Sequence, residues 1–176
     1  MTSQIFKCYA LSIAAIFVMA ASCNILAQEP SLDSLIAESV SAIQQDSPES
    51  YANCIAKLKR IDAMFPDSLQ AKYQIGLQCL NYSVMNPHAA QAESFLKEAQ
   101  QQIGRMEKMQ NADMSDVCTL RGYLYMVRIV QDPATNGQRY YLNVIENYEK
   151  ALKLKPDNSL TKFLYEKFQE GMKKAY

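Results

Sequence analysis

The chain contains no tryptophan and only one histidine, His88. Any imidazole-based catalytic site would have to use that residue, and no Gly-x-Ser-x-Gly elbow is present to serve it. His88 follows Asn86-Pro87 at an expected helix start, where the helix dipole disfavours an imidazolium, so it reads as an exposed structural residue. Cys-x-x-Cys pairs are absent, which argues against a zinc site, and no Gly-rich loop is present to cradle a phosphate. Neither sign of charge is in excess: 18 basic residues stand against 18 acidic ones. That balance removes the basic stripe of a nucleic-acid binder. Five Gly and six Pro are too few for long disordered linkers. No stretch alternates apolar and polar residues for long enough to make a strand. The remaining carboxylate pair, Asp113 and Asp116, precedes a helix, where acids cap the backbone and favour the dipole. No catalytic, cofactor-binding or metal-ligating residue is therefore assigned, and the chain is not expected to be an enzyme.

Good helix formers dominate the composition, and an apolar run marks the N-terminus. Lys7 precedes Tyr9–Ala21, a stretch whose only polar residue is Ser12. This run is shorter than the roughly 20 apolar residues a membrane span needs. It reads as a signal peptide over 1–27, with Ile25-Leu26-Ala27 as the cleavage site before Gln28. A second route stays open: lipid modification at Cys23, behind Ala20-Ala21-Ser22. The expected location is periplasmic, or lipid-anchored on the second route. Removal of 1–27 leaves Cys54, Cys79 and Cys118, an odd number in a compartment where disulfides persist.

Over 28–176 the apolar positions recur at steps of three and four, the helical period. Seven helices are expected. The first runs from Leu32 to Gln44. Ser47-Pro48 starts the second, since Ser caps and Pro fits the first helical position. Pro66-Asp67-Ser68 ends it and starts the third. Asn86-Pro87 is read as the start of the fourth, and Asp113 or Ser115 as the start of the fifth. Pro133 and Asn136-Gly137 make 132–138 an expected loop before the sixth. Pro156-Asp157-Asn158 separates the sixth from the last, whose outer face carries Lys162, Glu166, Lys167, Glu170, Lys173 and Lys174.

Three helices share a spacing: Cys54-x3-Leu58-x2-Ile61-x4-Pro66, Ala92-x3-Leu96-x2-Ala99-x4-Gly104 and Val144-x3-Tyr148-x2-Ala151-x4-Pro156. Small residues allow close approach, larger ones fill the contact, and Pro ends the helix. This pattern resembles the second helix of a tetratricopeptide (TPR) unit. Ile75-Gly76-x2-Cys79 and Gly122-x2-Tyr125 resemble part of the first. Gly inside a helix costs about 1 kcal/mol against Ala, so its use there implies close helix contact. The resemblance implies an all-α, right-handed solenoid of about three irregular hairpins with a C-terminal capping helix. The spacing departs from the usual period, stepping by 38 and then 52 residues from Leu58 to Leu96 to Tyr148.

The resemblance also implies a function, the binding of a protein or peptide on the concave face made by the first helices. Counting from Gly76 and Gly122, the exposed groove positions are expected at Gln70, Tyr73, Leu77 and Asn81, and at Asp116, Thr119, Tyr123 and Met126. None is Lys or Arg, so the partner expected is an apolar or amphipathic segment held by aromatic anchors. Packing of Tyr73 and Tyr123 against neighbouring helices is the alternative. A structural accessory subunit of an envelope assembly is the alternative function. Cys54 and Cys79 lie 12 residues before and 13 after Pro66, at matching heights on antiparallel helices. They would form either a disulfide or two buried thiols.

Overall fold

A computed structural model describes residues 30–175. The expected leader over 1–27, with both processing sites at Ala27 and Cys23, lies outside the described residues. Among those described there are seven α-helices and no strand. In chain order they are α1 (Leu32–Ser41), α2 (Pro48–Met64), α3 (Leu69–Met85), α4 (Ala92–Glu107), α5 (Met114–Gln131), α6 (Pro133–Leu154) and α7 (Ser159–Ala175). No helix among them is long and apolar enough to cross a membrane.

Local chemistry sets most of the boundaries. The Ser47 hydroxyl accepts the Ser50 N–H at 3.2 Å, with Pro48 in the first turn of α2. Ser68 accepts from Ala71 at 3.0 Å, and Asp113 from Ser115 at 2.8 Å. Asn158 accepts from Thr161 at 3.1 Å ahead of α7. Caps of this kind contribute about 1 kcal/mol each.

Three boundaries differ from the sequence reading. The first helix stops at Ser41 rather than Gln44, because the Ser50 hydroxyl binds both backbone groups of Gln44. Asn86 does not start α4. Its backbone N–H and its side-chain amide both donate to the Tyr82 carbonyl, at 3.0 and 3.1 Å, and close the end of α3. The third difference is at 132–138, where all but the cap residue Asp132 is helical. Asp132 accepts the Thr135 N–H at 3.1 Å with Pro133 in the first turn, so a cap-and-proline start prevails over the Asn136-Gly137 turn signal. Asp132 ends α5 and begins α6, so a single residue joins them.

Each helix packs on its chain neighbour, and α5 also packs against α3 and α7, so α3, α5 and α7 form a row. The positions of the shared spacing all point inward: Cys54, Leu58 and Ile61; Ala92, Leu96 and Ala99; and Val144, Tyr148 and Ala151 are buried. Full burial of a Leu- or Val-sized side chain contributes about 1.5–3 kcal/mol, so Leu58, Ile61, Leu96, Val144 and Tyr148 carry most of what these positions add, and the small residues among them allow close approach. The turns after α2 and α6 also match. Phe65 and Lys155 each donate back to the helix, to Ile61 and Ala151, at 2.9 Å, and a buried cap residue follows three positions later.

Two glycines mark close approaches. A Cβ on Gly122 would sit 2.7 Å from the ring of Tyr148, and one on Gly76 would sit 3.3 Å from Leu120 Cδ1. At the α2–α3 turn a buried charge cluster ties three helices together. The Lys72 ammonium donates to Asp62 at 2.8 Å, to the Ser68 carbonyl at 3.2 Å and to the Pro66 carbonyl. Arg105 of α4 reaches the other Asp62 oxygen at 2.7 Å.

Cys54, Cys79 and Cys118 are free and buried, so the Cys54–Cys79 disulfide is not formed. Cys79 lies near enough to feel the charge of Cys54, but both fill the core as small apolar groups. Burial pushes the Cys54 thiol up to about 11, and those of Cys79 and Cys118 upward as well. The phenols of Tyr73, Tyr123 and Tyr148 move the same way, again chiefly by burial. Above the ordinary thiol and phenol values of 9.0 and 10.0 the unfolded chain therefore sheds protons that the folded chain keeps. Stability should fall as pH rises through that range. Thermal melting should show a Tm declining steadily from about pH 8.5 to 11, and a thiol reagent should label these cysteines only in denaturant. A flat Tm profile, or rapid labelling of the native protein, would contradict the burial described.

Candidate functional site

The expected groove residues lie on α3 and α5, which the fold sets side by side. Their side chains divide into two groups. Gln70 is exposed, and Tyr73, Leu77, Asn81, Asp116 and Met126 are partly buried. Thr119 and Tyr123 are buried, which corrects the expectation that they form an open surface. Tyr123 is closed over by α3, and its hydroxyl donates to Asn81 Oδ1 at 3.1 Å. Thr119 is covered by α7 through a 2.6 Å contact with the Thr161 hydroxyl. Between α3 and α5 the face is zipped shut rather than grooved.

A chain of amides runs along this seam: Asn81 donates to Gln78, and Gln78 donates to Gln74, each at 3.1 Å. At the other end Asn158 donates to Asp116 at 3.1 Å. Burial, then the Asp113 charge, raises the Asp116 carboxyl above its ordinary value against the pull of Asn158. Tyr73 lies close enough to Asp116 and Asp113 for their charges to add to the burial that pushes its hydroxyl to about 12. It is therefore a neutral phenol at any physiological pH.

The row opens between α1 and α3. There Ile36, Ala37 and Val40 face Gln70 and Gln74 across a furrow of about 600 Å³, with Asp33 and Ser41 also on its α1 side. An apolar strip bordered by amides can receive one side of an amphipathic segment. Of the residues expected from sequence, only Gln70 lines this furrow. The groove positions on α3 and α5 are counted from a helix glycine, and α1 has none, so that rule does not reach the α1 side of the furrow. Met126 belongs to another depression, an apolar one with Ile129, Val130, Phe168 and Met172 where α5, α6 and α7 meet.

No known protein family, curated protein or solved structure matches the chain.

Proposed function

We propose that the chain is an exported TPR-like scaffold that binds a protein or peptide partner on the face made by α1 and α3. Support comes chiefly from the repeated burial of equivalent positions in α2, α4 and α6, combined with the row formed by α3, α5 and α7. That combination is expected of a right-handed solenoid of about three hairpins in which the second helices carry the core. The first helices then face a common side, and α7 caps the stack. Such stacks offer extended surfaces for partner segments. The α1–α3 furrow is the part of that side with room for one.

The test is recovery of the partner from envelope extract of the native host, followed by mass spectrometry. Val40→Lys places a charge on the furrow wall at a half-buried position. With folding confirmed by circular dichroism, it should reduce recovery about tenfold or more, the scale of a lost interface anchor. Equal recovery by the folded variant would remove the furrow from the proposal. Export is tested separately by intact mass of the native protein, expected to begin at Gln28, or at an acylated Cys23 on the lipoprotein route. A chain retaining Met1 would rule out both.

A second reading, an accessory subunit held permanently in a larger envelope assembly, is favoured by one observation. Leu142 is 64% and Phe163 55% exposed, on α6 and α7, and Tyr141 and Leu154 are exposed as well. Stable co-purification at fixed stoichiometry through high salt would favour it over a reversible scaffold.

A further inference from the structure

A second cleft lies away from the α1–α3 face, walled by α4 and α6 and floored by α5, with a volume of about 540 Å³. Its floor is one stripe of α5: Arg121, Leu124, Tyr125 and Arg128, at the i, i+3, i+4 and i+7 positions. These span two helical turns, about 10 Å, which is roughly the length of three extended residues. On the α6 wall stands Arg139. On the α4 wall stands Gly104, where an added Cβ would meet nothing within 4 Å. None of the residues lining the cleft is Asp or Glu.

The three guanidiniums are held differently. Arg121 donates to Glu107 at 2.7 Å, at the C-terminal end of α4. Arg128 grips both oxygens of Glu93, near the N-terminal end of α4, with one contact at 3.2 Å. Arg128's hydrogen bond draws the Glu93 carboxyl below its ordinary range. Arg139 makes no ion pair among the described residues. Its guanidinium lies 5.1 Å above the Tyr140 ring, and Tyr140 stacks on Tyr125 at 5.4 Å and 23°. Stacking of this kind orients a planar guanidinium and leaves its edge donors unused.

We infer that this cleft binds an extended acidic segment of a partner protein, with carboxylates reaching Arg139 and the outward edges of Arg121 and Arg128. A guanidinium fork matches a carboxylate bidentately, as Arg128 and Glu93 already illustrate. Glu93 and Glu107 are about half exposed, and such pairs are individually weak, so a partner carboxylate can compete for their arginines. The cleft is also amphipathic. Ile103 of the α4 wall and Leu124 of the floor line it beside the charges and suit the aliphatic stems of glutamate, which a bare phosphate lacks. The inference rests on the reading of the chain as a protein-binding scaffold, but it uses a different face.

The test is fluorescence anisotropy of a labelled hexaglutamate peptide titrated with the full chain at low salt. Binding is expected, weakening as salt is raised. Arg139→Ala should weaken it about tenfold, the scale of a lost charged hydrogen bond, and Arg139→Lys by less, since it keeps the charge and loses the fork. Gly104→Trp, with folding checked by circular dichroism, should block the cleft, since a Cβ at this position meets nothing within 4 Å and points the ring into the space. Val40→Lys should leave peptide binding unchanged. Failure of the wild type to bind, or full retention by both Arg139→Ala and Gly104→Trp, overturns the inference. So does displacement of the peptide by sub-millimolar inorganic phosphate, which would mark a simple anion site. Loss of binding in Val40→Lys alone would move the peptide to the α1–α3 furrow, leaving the proposed function standing and this cleft unused.

Discussion

Gly122→Ala should destabilise the protein by about 2 kcal/mol, the middle of the range for overpacking a filled core. For a chain of this size that is roughly a 4–8 °C fall in Tm. In an open helix the same change would stabilise by up to about 1 kcal/mol, so the sign of the effect comes from the surroundings. The new methyl would lie 2.7 and 2.8 Å from two ring carbons of Tyr148. That ring cannot swing away. It is fully buried, its hydroxyl donates to Met126 Sδ at 3.9 Å, and Tyr165 lies against it at 5.6 Å. Gly104→Ala and Gly171→Ala provide the contrast, since a Cβ at either meets nothing within 4 Å. Both should raise Tm slightly. The double variant Gly122→Ala, Tyr148→Leu should lose less than the sum of its parts, because the two positions share one space. A Gly122→Ala protein melting at or above wild type would show that α5 and α6 are not in the contact described.

The largest effect is expected at the α2–α3 turn. Asp62→Ala should cost about 3–5 kcal/mol, because it leaves the Lys72 ammonium buried without its counter-charge. The Lys72 and Asp62 side chains are only 4% and 9% exposed, so water cannot replace the lost partner. Lys72 also holds the carbonyls of Pro66 and Ser68, and the turn is wrapped around its charge. Lys72→Ala should cost less, since Asp62 keeps Arg105, whose side chain is partly exposed. Replacing both partners with apolar residues of similar size, Asp62→Leu with Lys72→Met, should recover much of the loss. Urea melts of the four proteins decide the matter: a double variant no more stable than Asp62→Ala alone would mean the cluster is not one energetic unit.

How much of this was legible in the sequence depended on where the partners lie. The caps at Ser47, Ser68 and Asp113 could be read because each side chain binds its own backbone two or three residues on. The shared spacing of α2, α4 and α6 was legible because a buried stripe recurs at the helical period. Asn86-Pro87 and Asp132-Pro133 are nearly the same dipeptide, and both close a helix, yet only the second also opens one. The Asn86 side chain turns back to Tyr82, whereas the Asp132 side chain turns forward to Thr135, and local pattern does not separate the two. The burial of Tyr123 and Thr119 was illegible for a different reason, since each is covered by a residue 42 positions away in the chain. The charge cluster likewise joins Asp62 to Arg105 across 43 positions. A lone Asp and Lys on two apolar stripes carry no local sign that they meet.

The one-residue junction at Asp132 leaves no slack between α5 and α6. Asn136, Arg139 and Tyr140 sit within the first turns after that corner, and the Asn136 amide is hitched to the Arg128 carbonyl at 2.7 Å. Floor and far wall of the arginine cleft are thus one rigid bracket, set by covalent geometry as much as by packing. The near wall is attached differently. Helix α4 hangs between two irregular connections, 86–91 and 108–113. What holds α4 against the floor is side-chain pairing, Arg121 with Glu107 and Arg128 with Glu93, together with its buried core face.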